Sequence, residues 1–117
     1  MDKKEKILER TKEFSLRIIN LYATLPEKAE AQILGKQLLR SGTSVGAQLR
    51  EGKRSRSNLE MISKIESSLQ ELEETVYWLE LLADSEIVNP ERLKDLINEA
   101  DELIAILVTS VKTLKGD

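Results

Sequence analysis

The sequence predicts an all-α protein, an antiparallel four-helix bundle whose consecutive helices run up, down, up and down. Three observations support this prediction. Apolar residues recur every three and four positions in four long segments, and only short connections separate those segments. Hydrophobic residues make up 40% of the chain and aromatic residues only 3%, so the core must consist mainly of Leu, Ile and Val. Residues 1–117 should form a single domain, because no Pro-rich or Gly/Ser-rich linker divides them.

The first helix is expected from about Asp2 to Ala23. Its apolar residues step by three and four, the spacing with which a bundle helix presents one face to its neighbours. Pro26 ends the helix region, because proline disfavours a helical conformation in the residue before it. The seam residues are Ile7, Thr11, Phe14, Ile18, Leu21 and Leu25.

The second helix is expected from about Ala29 to Gly52. Gly42 and Gly46 lie inside it, and each costs about 1 kcal/mol relative to alanine in a helix interior. Tertiary packing must offset this cost, and two glycines four residues apart let a neighbouring backbone come close. The alternative is a break or kink near Gly42. The seam residues are Leu34, Leu38, Ser41, Val45 and either Gln48 or Leu49.

The third helix is expected after a basic turn, with Ser57 or Asn58 as its N-cap, and should run to about Asp84. Its apolar repeat of seven residues is the strongest periodicity in the chain. That repeat comprises Ile62, Ile65, Leu69, Leu72, Val76, Leu79 and Ala83.

The fourth helix should open at Asn89-Pro90, with Asn89 as the cap and Pro90 at the first helical position. Ile97, Ile104 and Val108 widen its apolar face. Its seam consists of Leu93, Leu96, Ala100, Leu103, Leu107, Val111 and Leu114.

Composition excludes several kinds of site. The chain has no Cys and no His, which rules out disulfides, thiolate or imidazole metal sites and a Ser-His-Asp triad. Ser44, Gln48 and Glu51 lack a base-tuned nucleophile and a cleft, so we expect them to hydrogen-bond across the bundle to the third helix. We therefore expect a non-enzymatic protein without a cofactor or metal. With no secretory signal and no apolar run of about 20 residues, we expect it in the cytoplasm, away from membranes.

Charge is distributed unevenly. The net charge of −3 argues against a general nucleic-acid binder. Residues 36–56, however, contain six basic residues and one acidic residue, whereas residues 60–86 contain eight acidic residues and one basic residue. These two segments can pair within the monomer, pair between subunits, or leave the basic segment free for an anionic ligand.

Basic residues of the second helix form a stripe. At 100° per residue, its members fall within an arc of about 80° on the side opposite the apolar seam. Because the planar guanidinium suits phosphate, the stripe predicts salt-sensitive, sequence-independent contact with an RNA or DNA backbone. The alternative is a solvated face or an interface with acidic residues. The candidate nucleic-acid-binding residues are Lys36, Arg40, Arg50 and Arg54 of the stripe, with Lys53 and Arg56 beside them.

The third helix carries two candidate interface features. Glu66, Glu73 and Glu80 repeat every seven residues beside its seam, and Asp84 extends the row. Charges at such flanking positions set helix pairing, so we expect ion pairs with a neighbouring helix or subunit. Trp78 should project away from the seam with Leu82 one turn later. An outward Trp–Leu pair indicates a self-association surface, although Trp78 lying flat on its own helix is the alternative.

Two motifs support a family resemblance. The first is Ser-Ile/Val-x-x-Asn-x-x-Glu-Gly/Ala before a basic turn, and the second is a later helix with Ser-Leu-x-Glu-x-Glu and an aromatic, Leu-rich end. In this order they resemble the four-helix-bundle family of 23S rRNA intervening-sequence proteins, to which the accessory proteins of diversity-generating retroelements look related. Gln48 replaces the usual Asn, and Arg50 stands where many members have Ala. The matching residues are Ser44, Val45, Glu51, Gly52, Ser68-Leu-Gln-Glu71-Leu-Glu73 and Tyr77-Trp-Leu-Glu-Leu-Leu82.

The resemblance implies a homo-oligomer, a pentameric ring of bundles. In the retroelement members such a ring resembles a basic platform that binds nucleic acid and a reverse transcriptase. Two hypotheses follow for this chain. In one it is a homo-oligomeric bundle that binds RNA or DNA. In the other it is a protein–protein scaffold, and its basic stripe pairs with the Glu66, Glu73 and Glu80 side of a neighbouring subunit.

Overall fold

The computed structural model describes residues 3–116, with side chains from residue 6 onwards. It contains four helices, α1 (Lys3–Ala23), α2 (Ala29–Lys53), α3 (Asn58–Asp84) and α4 (Pro90–Lys115), and this described part has no strand. The molecule measures 45 × 24 × 21 Å. The helices have 21 to 27 residues and extend about 30–40 Å, so all four lie along the long axis. The predicted all-α bundle is confirmed. The expected start at Asp2 lies outside the described residues.

Local signals place the helix ends as expected. The Ser57 Oγ accepts a hydrogen bond from the Glu60 amide at 3.1 Å, so Ser57 and not Asn58 caps α3. At α4 the Asn89 Oδ1 accepts from the Glu91 amide at 3.0 Å, with Pro90 beginning the helix. These caps satisfy amide groups that have no partner within the helix. None of the four helices in the described chain has the length and apolar composition to cross a bilayer.

Glycines of α2 let α1 approach closely. A Cβ on Gly42 would lie 2.8 Å from the Ile18 Cγ1, and one on Gly35 would lie 2.6 Å from the Leu25 Cδ1. The Ser15 hydroxyl also donates to the Gly42 carbonyl at 3.1 Å. Helix α2 runs unbroken through Gly42, so the alternative of a break there is wrong. A Cβ on Gly46 would lie 3.3 Å from the Thr11 Oγ1 of α1. Close packing against α1 therefore offsets the low helix propensity of both Gly42 and Gly46.

Hydroxyl groups mark the contact between α2 and α3. The buried Ser68 donates to the Val45 carbonyl at 2.9 Å, and the Thr75 Oγ1 lies 2.8 Å from the Ser41 Oγ. These small side chains allow α3 to pack closely on α2, and their polar groups are satisfied by each other and by the backbone.

The predicted seam of α3 is partly wrong. Leu69, Val76 and Ala83 are only partly buried, whereas Ser68, Thr75 and Leu82, one position earlier, are fully buried. Apolar periodicity selects the large residues of a helix, but α3 packs between α2 and α4 and turns its small residues toward α2. The central core positions of α3, which include Leu72 and Leu79, are as predicted.

Candidate nucleic-acid interface at one end of the bundle

Antiparallel topology separates charge along the long axis. One end, here called the turn end, comprises residues 6–12, 46–66 and 99–116, because Arg10 of α1 pairs with Glu99 and Glu102 of α4, and it carries ten Lys or Arg against seven Asp or Glu. The opposite end, here called the acidic end, comprises residues 13–45 and 67–98. It carries eleven acidic residues against six basic residues. The net charge of −3 therefore conceals a positive end and a negative end.

Four basic residues around the connection between α2 and α3 form a turn cluster, consisting of Arg50, Lys53, Arg54 and Arg56. All four are exposed. Among the side chains that the structure describes, no carboxylate lies within 4.0 Å of their charged groups. Lys36 is also exposed, and it has no such partner in the same part of the chain. The turn cluster therefore offers unneutralised positive charge to an anionic ligand.

Arg40 differs from the other stripe residues. Its guanidinium is 3.2 Å from the Glu71 Oε2 and also bonds the Glu74 carboxylate, both on α3. Partial burial acts to lower the pKa of Arg40, but the hydrogen bond to Glu74 and the charge of Glu71 outweigh it, so the pKa is raised. Of the three arrangements open to the charged segments, pairing within the monomer holds for Arg40. Its role in nucleic-acid binding stays a prediction.

The predicted glutamate row is mostly unpaired. Glu66 lies 3.5 Å from the Lys115 Nζ of α4. Glu73, Glu80 and Asp84 are exposed, and no basic group of the described side chains lies within 4.0 Å of them. The carboxylates that bind Arg40 are Glu71 and Glu74. The heptad spacing did not predict that role, because it placed the α2-facing side of α3 one position too late in the sequence.

The predicted outward Trp78–Leu82 pair is wrong for Leu82. Leu82 is 0% exposed and belongs to the core, so it has no surface to offer a second subunit. Trp78 is half-buried against the core, and its Nε1 is buried without a hydrogen-bond partner in the described chain. The exposed aromatic residue here is Tyr77, at 54%, with its ring centroid 5.2 Å from that of Trp78.

Of the three polar residues expected to contact α3, Glu51 does so in the described chain, whereas Ser44 does not. The Ser44 hydroxyl donates to the Arg40 carbonyl of its own helix at 2.7 Å, and Gln48 is half-buried. Glu51 does reach α3, where its carboxylate is 3.5 Å from the Lys64 Nζ. Gly52 is buried, and a Cβ there would lie 3.2 Å from the Lys64 Cβ. The motif thus brings the end of α2 close to α3.

Comparison with known proteins agrees with the fold and the motifs. Residues 3–109 match the family described as 23S rRNA-intervening sequence protein. The chain belongs to this family. A crystal structure of a protein with unknown function, from the S23 ribosomal protein family of Bacteroides thetaiotaomicron VPI-5482, is similar to this member. The identity is 36% and the TM-score 0.89, over 95% of this chain and 99% of the other. No curated protein matches the chain.

Proposed function

We propose that this member of the 23S rRNA-intervening sequence family is a non-enzymatic, homo-oligomeric bundle that binds the backbone of RNA or DNA in the cytoplasm. The observation that carries the proposal is the turn cluster, four exposed basic residues without a carboxylate partner among the described side chains. Three of them are arginines, whose planar guanidinium donates paired hydrogen bonds to phosphate. Contacts of this kind are insensitive to base sequence and weaken as salt displaces them.

The acidic end does not prevent this binding. Charges in solvent are largely screened beyond about 8 Å at physiological ionic strength. The bundle is 45 Å long, so the acidic residues at the opposite tip, such as Glu86, are several screening lengths from the turn cluster. A nucleic acid that approaches the turn end therefore meets a positive surface, despite the net charge of −3.

Self-association is the second part of the proposal. Exposed apolar side chains support it, since Ile33 is 65% exposed and Tyr77 is 54% exposed next to the half-buried Trp78. A ring of five copies, as the family resemblance implies, would repeat the turn cluster, and several weak phosphate contacts would then act together. A reverse transcriptase is a further partner that the resemblance implies.

Light scattering tests both parts of this proposal. The mass of the purified protein is measured with and without a short structured RNA, at about 50 mM and about 200 mM salt. We expect a ring-sized mass that increases with RNA and returns toward its original value as salt is added. A monomeric mass would contradict the oligomer. A ring whose mass does not change with RNA at either salt concentration would contradict nucleic-acid binding.

The second candidate function is a protein–protein scaffold. Its support is the Arg40 ion pair, in which α3 carboxylates bind a stripe arginine. The exposed Glu73 and Glu80 offer the same chemistry to another subunit. The double substitution Arg50→Glu/Arg54→Glu separates the candidates. A scaffold would lose oligomeric mass, whereas a nucleic-acid-binding ring would keep its mass and no longer bind RNA.

A further inference from the structure

A deep apolar cleft opens at the turn end, with a volume of about 790 Å³. Residues of all four helices line it. Ile7 of α1 and Ile106 of α4 lie on its sides, and Leu49 of α2 and Ile65 of α3 lie on the far side from the α1–α4 opening. The cleft therefore extends from the surface into the end of the hydrophobic core.

The packing of α1 and α4 explains the opening. These two helices touch least among the neighbouring pairs. Arg10 joins them through two hydrogen bonds to Glu99, with Nε–Oε2 at 3.2 Å and Nη2–Oε1 at 2.6 Å, and the bond to Glu99 raises the pKa of Arg10. Beyond this pair, Ile106, Leu107 and Leu114 of α4 line the cleft, and between them α4 presents the small side chains of Ser110 and Thr113. Because these side chains are small, the space between α1 and α4 stays unfilled.

The cleft combines an apolar interior with positive charge. Lys6 and Lys53 line it and are exposed, and no carboxylate of the described side chains lies within 4.0 Å of their ammonium groups. Apolar cavities between the helices of a bundle are common ligand sites, and typical volumes are about 300–1,000 Å³. A ligand with an anionic group near the two lysines and an apolar group inside the cleft would match this arrangement.

The shape of the occupant follows from the width of the bundle. A helix with its side chains is about 10–12 Å across. The cross-section of the bundle, 24 × 21 Å, is already filled by four helices. A fifth helix cannot reach Leu49 and Ile65, whereas a single alkyl chain can. Charge complementarity and depth together point to a slender anionic amphiphile and not to a peptide helix.

We propose that this cleft binds a free fatty acid. The alkyl chain lies among Ile7, Leu49, Ile65 and Ile106, and the carboxylate lies at Lys6 and Lys53. The site is distinct from the nucleic-acid proposal in its apolar residues, although Lys53 belongs to both.

Calorimetric titration of the unmodified protein tests the ligand class. Hexanoate, octanoate, decanoate and dodecanoate are titrated below their micelle concentrations, with dodecylammonium as the matched cation. We expect one site per chain and affinity that increases up to about fourfold per methylene until the cleft is filled. Dodecylammonium should bind at least tenfold more weakly. Binding without chain-length dependence, or equal binding of the ammonium, would overturn the proposal.

Two substitutions in α4 test the location. Ile106→Glu places a carboxylate in the cleft, and Val108→Glu makes the same change at an exposed position that does not line it. Dodecanoate should bind at least tenfold more weakly to the first variant and within twofold of normal to the second. Equal weakening in both variants would contradict the site. If Ile106→Glu fails to fold, the chain-length series on the unmodified protein still tests the proposal. Binding of an acidic amphipathic peptide without binding of dodecanoate would overturn it.

Discussion

The acidic end and the turn end of this bundle differ in both packing and ion pairing. At the acidic end, Gly42 lets α1 close on α2, Thr75 bonds Ser41, and Arg40 is held by two carboxylates of α3. At the turn end a cleft separates α1 from α4, and the turn cluster has no carboxylate partner in the described chain. Arginines on one face of α2 therefore differ in ion pairing according to the carboxylates of α3 that lie beside them. The closer packing indicates that the acidic end contributes more of the stability, and the exposed cations indicate that the turn end is available to ligands.

The largest expected effect tests the packing difference directly. Leu79 is fully buried at the acidic end, and Leu79→Ala should lower the free energy of unfolding by about 2–5 kcal/mol. Leu114 is half-buried beside the cleft, and Leu114→Ala should cost about 1 kcal/mol or less, because little new cavity is created. Urea unfolding at one fixed protein concentration measures both. Equal destabilisation by the two substitutions would contradict the difference between the ends.

Glycine substitutions test how closely each part of α2 packs against α1. In Gly42→Ala the new Cβ would lie 2.8 Å from the β-branched Ile18, so we expect a net destabilisation of about 1–3 kcal/mol from overpacking. In Gly46→Ala the nearest atom, the Thr11 Oγ1, is 3.3 Å away. Here the gain of about 1 kcal/mol in helix propensity should offset most of the strain. Thermal unfolding compares the variants, and a more stable Gly42→Ala protein would show that the packing against Ile18 is not tight.

The smallest effect concerns ion pairing. The Arg40 side chain is 50% exposed, so Arg40→Gln should destabilise the protein by only about 0.2–1 kcal/mol, and less in 1 M salt. Arg50→Gln, which removes no ion pair seen in the described chain, should be neutral within about 0.5 kcal/mol. Urea unfolding at two salt concentrations measures the difference. A salt-dependent destabilisation by Arg50→Gln as large as that by Arg40→Gln would contradict the assignment of partners.

Local rules predicted the helices well. Ser57, Asn89 and Pro90 define helix starts through short-range chemistry, and those starts lie where the sequence placed them. The α2-facing side of α3 could not be predicted in the same way. Ser68 and Thr75 are deeply buried because their hydroxyl groups find partners on α2, which depends on a second helix. Apolar spacing alone predicts the larger residues Leu69 and Val76 in the seam instead.

The charged site and the cleft also depend on pairing between helices. The stripe was visible in the sequence, but the difference between Arg40 and Arg50 required the positions of Glu71 and Glu74 on α3. The cleft was not predicted, because no single helix encodes its distance from a neighbour. Its one local signal is the polar stretch of α4 that includes Thr109, Ser110 and Thr113, where bulk would be needed to fill the α1–α4 space.

Salt-dependent RNA binding distinguishes a functional difference between the unpaired arginines of the stripe, Arg50 and Arg54, and the paired Arg40. Fluorescence anisotropy gives the slope of log affinity against log salt for the unmodified protein, Arg50→Gln/Arg54→Gln and Arg40→Gln. Removing an arginine that binds one phosphate should reduce the magnitude of the slope by about one. We predict a reduction of about two in the double variant and almost none in Arg40→Gln. An unchanged slope in the double variant, or an equal reduction per arginine in Arg40→Gln, would contradict the account.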